Sequence, residues 1–194
     1  MAADTSGRIY VADGRNNAVR AGSVLREAKL PKTHGATGVF AAELATFPAP
    51  NIESRRGSAA GDHALQIAFA RELASGAVMV TSGTARIVDP PTISGDAMSL
   101  NLAGVGDAQA VTLTFVELID ASGRPMPDTT LRIGFLLGDS NRDSLVNAAD
   151  VMQVRNRSGK AVNITNFSSD VNADGSINGA DSLIVRAASG RSAP

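Results

Sequence analysis

Between Gly35 and Leu137 apolar and polar residues alternate in short runs, and a period of two marks a strand with one buried face. Leu65, Ile67 and Phe69 share a face of residues 63–70. Met98, Leu100 and Leu102 alternate with Ser99 and Asn101, and Val111, Leu113 and Phe115 with Thr112 and Thr114. Leu131, Ile133 and Phe135 form the last such run, and residues 38–44, 76–80 and 85–88 read as further strands. Turn residues (Gly, Pro, Asp, Ser) separate these runs by about 8–15 residues, the spacing of an all-β sandwich. Residues 46–61, with Pro48, Pro50 and the Arg55-Arg-Gly-Ser58 turn, read as loop.

Upstream the pattern is weaker. Ile9 and Val11 flank Tyr10, Asp13-Gly14 and Asn16-Asn17 are turn signals, and residues 18–20 begin a return strand. A hairpin of this size is marginal alone. Residues 21–35 read as a junction, with 23–30 either a short helix or an extended linker that Pro31 ends. His34, before Gly35, is expected at the surface or in a cap.

After Leu137 the alternation stops and a repeat begins. Asp139-Ser-Asn-Arg-Asp-Ser-Leu-Val-Asn-Ala-Ala-Asp150 and Asp170-Val-Asn-Ala-Asp-Gly-Ser-Ile-Asn-Gly-Ala-Asp181 both read D-x-N-x-D-x-x-[VI]-N-x-A-D. The register continues through Val154 and Val185, Arg155 and Arg186, and Gly159 and Gly190. Such a repeat defines the structural unit. Oxygen ligands at loop positions 1, 3 and 5, a carbonyl at 7 and a bidentate carboxylate at 12 make a calcium shell at about 2.3–2.6 Å. Asp139, Asn141, Asp143, the Leu145 carbonyl and Asp150 supply the first set. Asp170, Asn172, Asp174, the Ser176 carbonyl and Asp181 supply the second, so two Ca2+ ions are expected. Asn147 and Asn178, at position 9, serve through water or as helix caps. From Gly138 onward there is no Glu, and every Asp falls at position 1, 5 or 12. Position 6, where the loop turns sharply, is Gly175 in the second loop and Ser144 in the first. Helices are expected near residues 148–158 and 179–189, with Gly159 and Gly190 at their ends. Val151, Met152, Val154, Leu183, Ile184 and Val185 are expected to form their core.

No helix pattern precedes either loop, so each unit is loop then helix. This arrangement resembles the dockerin domain, over about residues 138–191. The resemblance implies two antiparallel loop–helix units, and a cohesin module contacted through loop positions 10 and 11 and the following helix. Here those positions are Ala148-Ala149 and Gly179-Ala180, where the best-known cellulosomal dockerins carry hydroxyl-bearing pairs. The opening stretch resembles an NHL β-propeller repeat, D-x-x-G-x-[IV]-Y-V-A-D-x-x-N-N-x-[IV]-R. The central stretch resembles a module of secreted bacterial proteins that precedes dockerin-like repeats, bounded by Lys32-Thr-His-Gly35 and Gly138-Asp139.

Composition narrows the function. The net charge of −1 offers no footprint for nucleic acid. The absence of Cys excludes disulfides and thiolate chemistry, and with no Trp and one Tyr a sugar-stacking platform is not expected. No apolar run approaches the roughly 18 residues of a membrane span, and no secretory signal opens the chain. The remaining acids select no carboxylate pair for glycoside hydrolysis, and Ser58, Asp62 and His63 do not make a triad by being near in sequence.

The expected protein is mainly β: an immunoglobulin-like or cohesin-like β-sandwich over 36–137 and a small α dockerin-like calcium-binding module over 138–191. Residues 1–20 are a partial NHL-like segment, 21–35 a linker and 192–194 a tail. The expected role is non-catalytic attachment or assembly through a cohesin-like partner, in a polysaccharide-degradation or cell-surface context. Alternatives are a purely structural calcium clamp of a larger secreted propeller protein, and a component of a polysaccharide-degrading enzyme. A monomer, extracellular or at the cell surface and part of a longer secreted protein, is expected.

Overall fold

The computed structural model describes residues 2–3, 8–13, 18–45, 51–58 and 61–193. The expected turn at Gly14–Asn17 and the prolines Pro48 and Pro50 lie outside them. The protein is mainly β, with two helices near its C-terminal end. β1 (Ala2–Ala3), β2 (Arg8–Asp13) and β3 (Ala18–Ser23) form a small antiparallel sheet, in which β2 and β3 make the expected hairpin.

Residues 25–34 correct the linker expectation, because they form a ten-residue strand, β4 (Leu25–His34). It pairs with β5 (Gly38–Leu44) over Ala28–His34, and with β7 (His63–Phe69) over Leu25–Lys29. Pro31, which lacks an N–H to donate, therefore sits where the β7 side of the strand has no partner. β9 (Arg86–Ile87), β10 (Thr92–Ser94) and β11 (Ala97–Ala103) complete this first sheet, in the order β10-β11-β7-β4-β5 with β9 also on β11. The second sheet has the order β6-β13-β12-β8, from β6 (Ile52–Glu53), β8 (Leu73–Ser82), β12 (Gln109–Asp120) and β13 (Thr129–Phe135). The short β6 runs parallel to β13, within the stretch read as loop.

The alternating residues meet as expected. Leu65, Ile67 and Phe69 are buried with Met98, Leu100 and Leu102, and Val111, Leu113 and Phe115 with Leu131, Ile133 and Phe135. The sheets touch where the Phe69 and Phe115 rings meet edge to face, 5.7 Å between centroids. Each such side chain contributes about 1.5–3 kcal/mol by leaving water. Past Phe115 the β12–β8 register slips and Glu117 takes a positive φ of 53°. This bulge shifts the inward phase, so that Leu118 and Asp120 are the next buried residues.

The chain leaves β13 through Leu136 and Gly138 into α1 (Ala148–Arg157) and α2 (Gly179–Ala188), with a single 3-10 turn, Phe167–Ser169, between them. Val146, Val154, Val162, Phe167, Val171, Ile177 and Val185 are buried and join the β residues in one cluster. Met152 and Leu183, expected inside, are 62% and 64% exposed. Each lies two residues, about 200° of helix, from the inward Val154 or Val185.

The two loop–helix units interlock reciprocally. Gly159 N donates to Ile177 O at 2.9 Å, and Gly190 N to Val146 O at 2.8 Å. Leu145 bridges to Ser192 and Ala161 to Ser176. The expected tail is therefore partly structural: Ser192 pairs with Leu145, and Ala193 is buried.

The C-terminal part also lies directly against the β region. Gly35 N donates to Ala173 O (3.0 Å), Arg56 N to Val171 O (2.7 Å) and Gly138 N to Ser54 O (2.9 Å). Thr37 Oγ1 donates to Gly175 O, and Arg191 pairs with Asp107. Phe167 stacks on Phe40 of β5, with ring centroids 5.9 Å apart.

Candidate metal centre

Asp139, Asp150, Asp170 and Asp181, the first and last acids of each repeat, are fully buried. A buried carboxylate needs hydrogen-bond donors or a cation, and the loops supply donors in duplicate. Asp139 accepts from Asp143 N (3.1 Å) and Ser144 N (2.8 Å), and Asp170 from Asp174 N (3.2 Å) and Gly175 N (2.9 Å). Asp143 accepts from Leu145 N and Asp174 from Ser176 N. Asp150 accepts from Asn141 N and Asn147 N, and Asp181 from Asn172 N and Asn178 N. Asn141 and Asn172 each donate an amide hydrogen to the acid at position 5.

This wrapping follows from local conformation. Ser144 (φ 70°) and Gly175 (φ 93°) both turn the chain through positive φ at position 6, and only the glycine does so without steric cost. At position 9, Asn147 and Asn178 cap the helices: each accepts from the N–H two residues on, and Asp150 and Asp181 close capping boxes. The last acid of each loop thus also fixes the start of its helix.

In the first loop, carboxylate oxygens of Asp139, Asp143 and Asp150 all lie within 4.8 Å of one another. Burial pushes the Asp139 carboxyl up to about 6, and the negative charges of Asp150 and Asp143 add to this against the Ser144 and Asp143 N–H donors. Asp181 is also raised, first by burial and then by the charges of Asp170 and Asp174, against the Asn178 and Asn172 donors. Three acids so close together repel one another until a cation neutralises them. The donors at the repeat positions are oxygens, with no sulfur or imidazole, a set that suits a hard cation such as Ca2+.

The sequence reading missed the residues that flank the second loop. His34, expected at the surface or in a cap, is fully buried with its Nδ1 2.7 Å from Asp170 Oδ2. Arg55, expected in an open turn, is buried in an ion pair with Glu53 (2.6 Å) and lies over the Phe167 ring at 5.0 Å. Arg55 holds the Glu53 carboxyl below its usual range despite its burial, contributing both charge and hydrogen bonds. One signal pointed to His34: it falls in phase with Ala28 and Leu30 along β4.

The family model for the dockerin type I domain matches residues 137–188, which span both loops and both helices. Dockerin domains are calcium-binding, non-catalytic assembly modules. No curated protein and no solved structure matches the chain. The NHL-repeat resemblance of residues 1–20 finds no support in these comparisons and is withdrawn. No helix among the described residues is long and apolar enough to cross a membrane.

Proposed function

We propose that residues 138–191 bind two calcium ions and attach the β region to a cohesin-like partner, outside the cell or at its surface, in a polysaccharide-degrading or cell-surface assembly. The first ion is assigned to Asp139, Asn141, Asp143, the Leu145 carbonyl and Asp150. The second is assigned to Asp170, Asn172, Asp174, the Ser176 carbonyl and Asp181. The observation that carries this reading is the duplication of the whole arrangement, donor by donor, in a stretch that matches the dockerin type I family. Calcium supplies the charge that lets the buried acids ionise together. An ion that binds only the folded loops stabilises them, by about 2.7 kcal/mol per site at a hundredfold excess over Kd.

The docking surface is assigned to the outer faces of the helices. Ala148, Ala149 and Met152 on α1, and Gly179, Ala180 and Leu183 on α2, are exposed at matching positions. A second reading is a structural calcium clamp that binds nothing further. The contacts between the second loop and the β region favour it, as does the lack of hydroxyls at positions 10 and 11.

Calorimetric titration of the chain with CaCl2, with thermal melts in calcium and in chelator, tests the shared premise. Two ions per chain and a melting temperature raised by calcium are expected; no heat and no shift would refute it. Pull-down with a panel of cohesin modules, with and without chelator, separates the readings. Calcium-dependent capture supports attachment, and two bound ions without capture support the clamp.

A further inference from the structure

We infer that His34 is a positioning residue for the second calcium loop: it holds Asp170 from the β region, so that calcium binding there depends on the folded sheet. The inference rests on the calcium reading of the loops. His34 and Asp170 are both fully buried, 2.7 Å apart, and 136 positions apart in the chain. The other ring nitrogen, Nε2, lies 3.2 Å from Arg55 Nη1. A guanidinium only donates, so Nε2 accepts and Nδ1 carries the hydrogen that points at Asp170. Arg55 is held by Glu53 and by the carbonyls of Phe40 and Leu30. The chain of contacts therefore runs Glu53, Arg55, His34, Asp170, from the second sheet through the first into the loop. The His34 ring also meets Phe40 and Phe167 edge to face, which fixes its plane.

The first loop has no counterpart. Asp139 takes the same two backbone donors as Asp170 but, among the described residues, no side-chain donor. Outer partners of this kind orient a ligand before the ion arrives, and their loss typically weakens metal binding about 10–100-fold. The two loops, alike in their Asp and Asn positions, thus differ in what supports them: the first stands within its own module, and the second leans on β4. By linkage, an ion in the second loop also stabilises the β4–β5 hairpin.

The test uses the full chain and calcium itself, in two backgrounds. Asp150→Ala silences the first loop and Asp181→Ala the second. In the Asp150→Ala background His34→Phe, which keeps a ring but no donor, should weaken calcium about tenfold or more. His34→Asn, whose amide reaches the Nδ1 position, should recover most of that loss, and His34→Gln, whose amide reaches the Nε2 position, should recover less. In the Asp181→Ala background all three should leave the affinity unchanged. Equal weakening in both backgrounds would show a general packing role and overturn the inference, as would no weakening in either. If His34→Phe does not fold, the order of Asn over Gln in the Asp150→Ala background decides. A wild-type chain that binds no calcium would instead refute the calcium reading itself, and the inference with it.

Discussion

Gly35 tests the contact between the β region and the second loop most directly. It occupies the β4–β5 turn with φ +50°, and a Cβ added there would lie 2.1 Å from the Asp174 carbonyl oxygen and 2.8 Å from its carbon. Both are backbone atoms, so Gly35→Ala requires the turn and the loop to separate. Left-handed strain costs about 1–2 kcal/mol, the forced displacement about 1–3 kcal/mol, and the stretched bond from Gly35 N to Ala173 O about 1 kcal/mol. The expected loss is about 3–6 kcal/mol. Gly95 is the control: its φ is +60° and nothing lies within 4 Å of its added Cβ, so Gly95→Ala carries only the first cost. Denaturation in saturating calcium should separate the variants by about 2–4 kcal/mol, or roughly 4–16 °C in Tm at this chain size. Calcium binding at the second loop should weaken in Gly35→Ala alone. Equal losses in the two variants would refute the close approach.

The remaining expectations concern other parts of the chain. Ser144→Gly, which relieves a side chain held at φ 70°, should raise stability in calcium by about 0.5–1 kcal/mol; an unchanged or lowered midpoint would count against strain at that loop position. Asp150→Ala and Asp181→Ala should each remove one ion per chain by calorimetry, and a variant that kept both would show the ligand register to be wrong. Burial, aided by the charge of Lys32, pushes His63 down from 6.5 to about 4. Its neutral form contributes stability that is fully present above pH 6.5 and lost as pH falls toward 4, about 2–4 kcal/mol in all. His63→Phe should flatten that part of the profile, and an unchanged slope would place the titration elsewhere. Arg55→Met should cost about 3–5 kcal/mol by stranding the Glu53 carboxylate, whereas adding Glu53→Leu should recover part of it; no recovery in the double variant would mean that the pair is not the source of the loss.

β7, β11, β12 and β13 were legible because each carries three apolar residues at a period of two, whereas β10, with Ile93 its one apolar residue, was not. β4 was not, because Arg26, Glu27, Lys29, Lys32 and Pro31 interrupt its pattern, and because its β7 partner covers only part of its length. β6, two residues long, is too short to carry any period. The loop–helix repeat was legible because its acids and amides recur within twelve consecutive residues, so chemistry and spacing sit together in the chain. The support for the second loop was not, since His34 and Thr37 reach it from 136 and 138 positions away, and no local pattern announces such a partner. Met152 and Leu183 misled for the opposite reason: a run of apolar residues on a short helix cannot all face inward, and these two face outward.

The return of the chain end to the β region gives the protein a mechanical character. The C-terminal part leaves the second sheet at Gly138, whose N–H is bonded to Ser54. It comes back with Arg191 on Asp107 and with Ala193 buried beside the position of Gly134 on β13. Its entry and its exit are thus clasped to the same end of one sheet. Tension applied beyond Ala193 would pass first into that clasp and, through the bonds of Ala193 N to Ser144 O and of Val146 N to Arg191 O, into the first loop, while the second loop lies further from the line of load. A tether attached there would load the first loop before the second, so the two halves of the repeat would not share a pull equally.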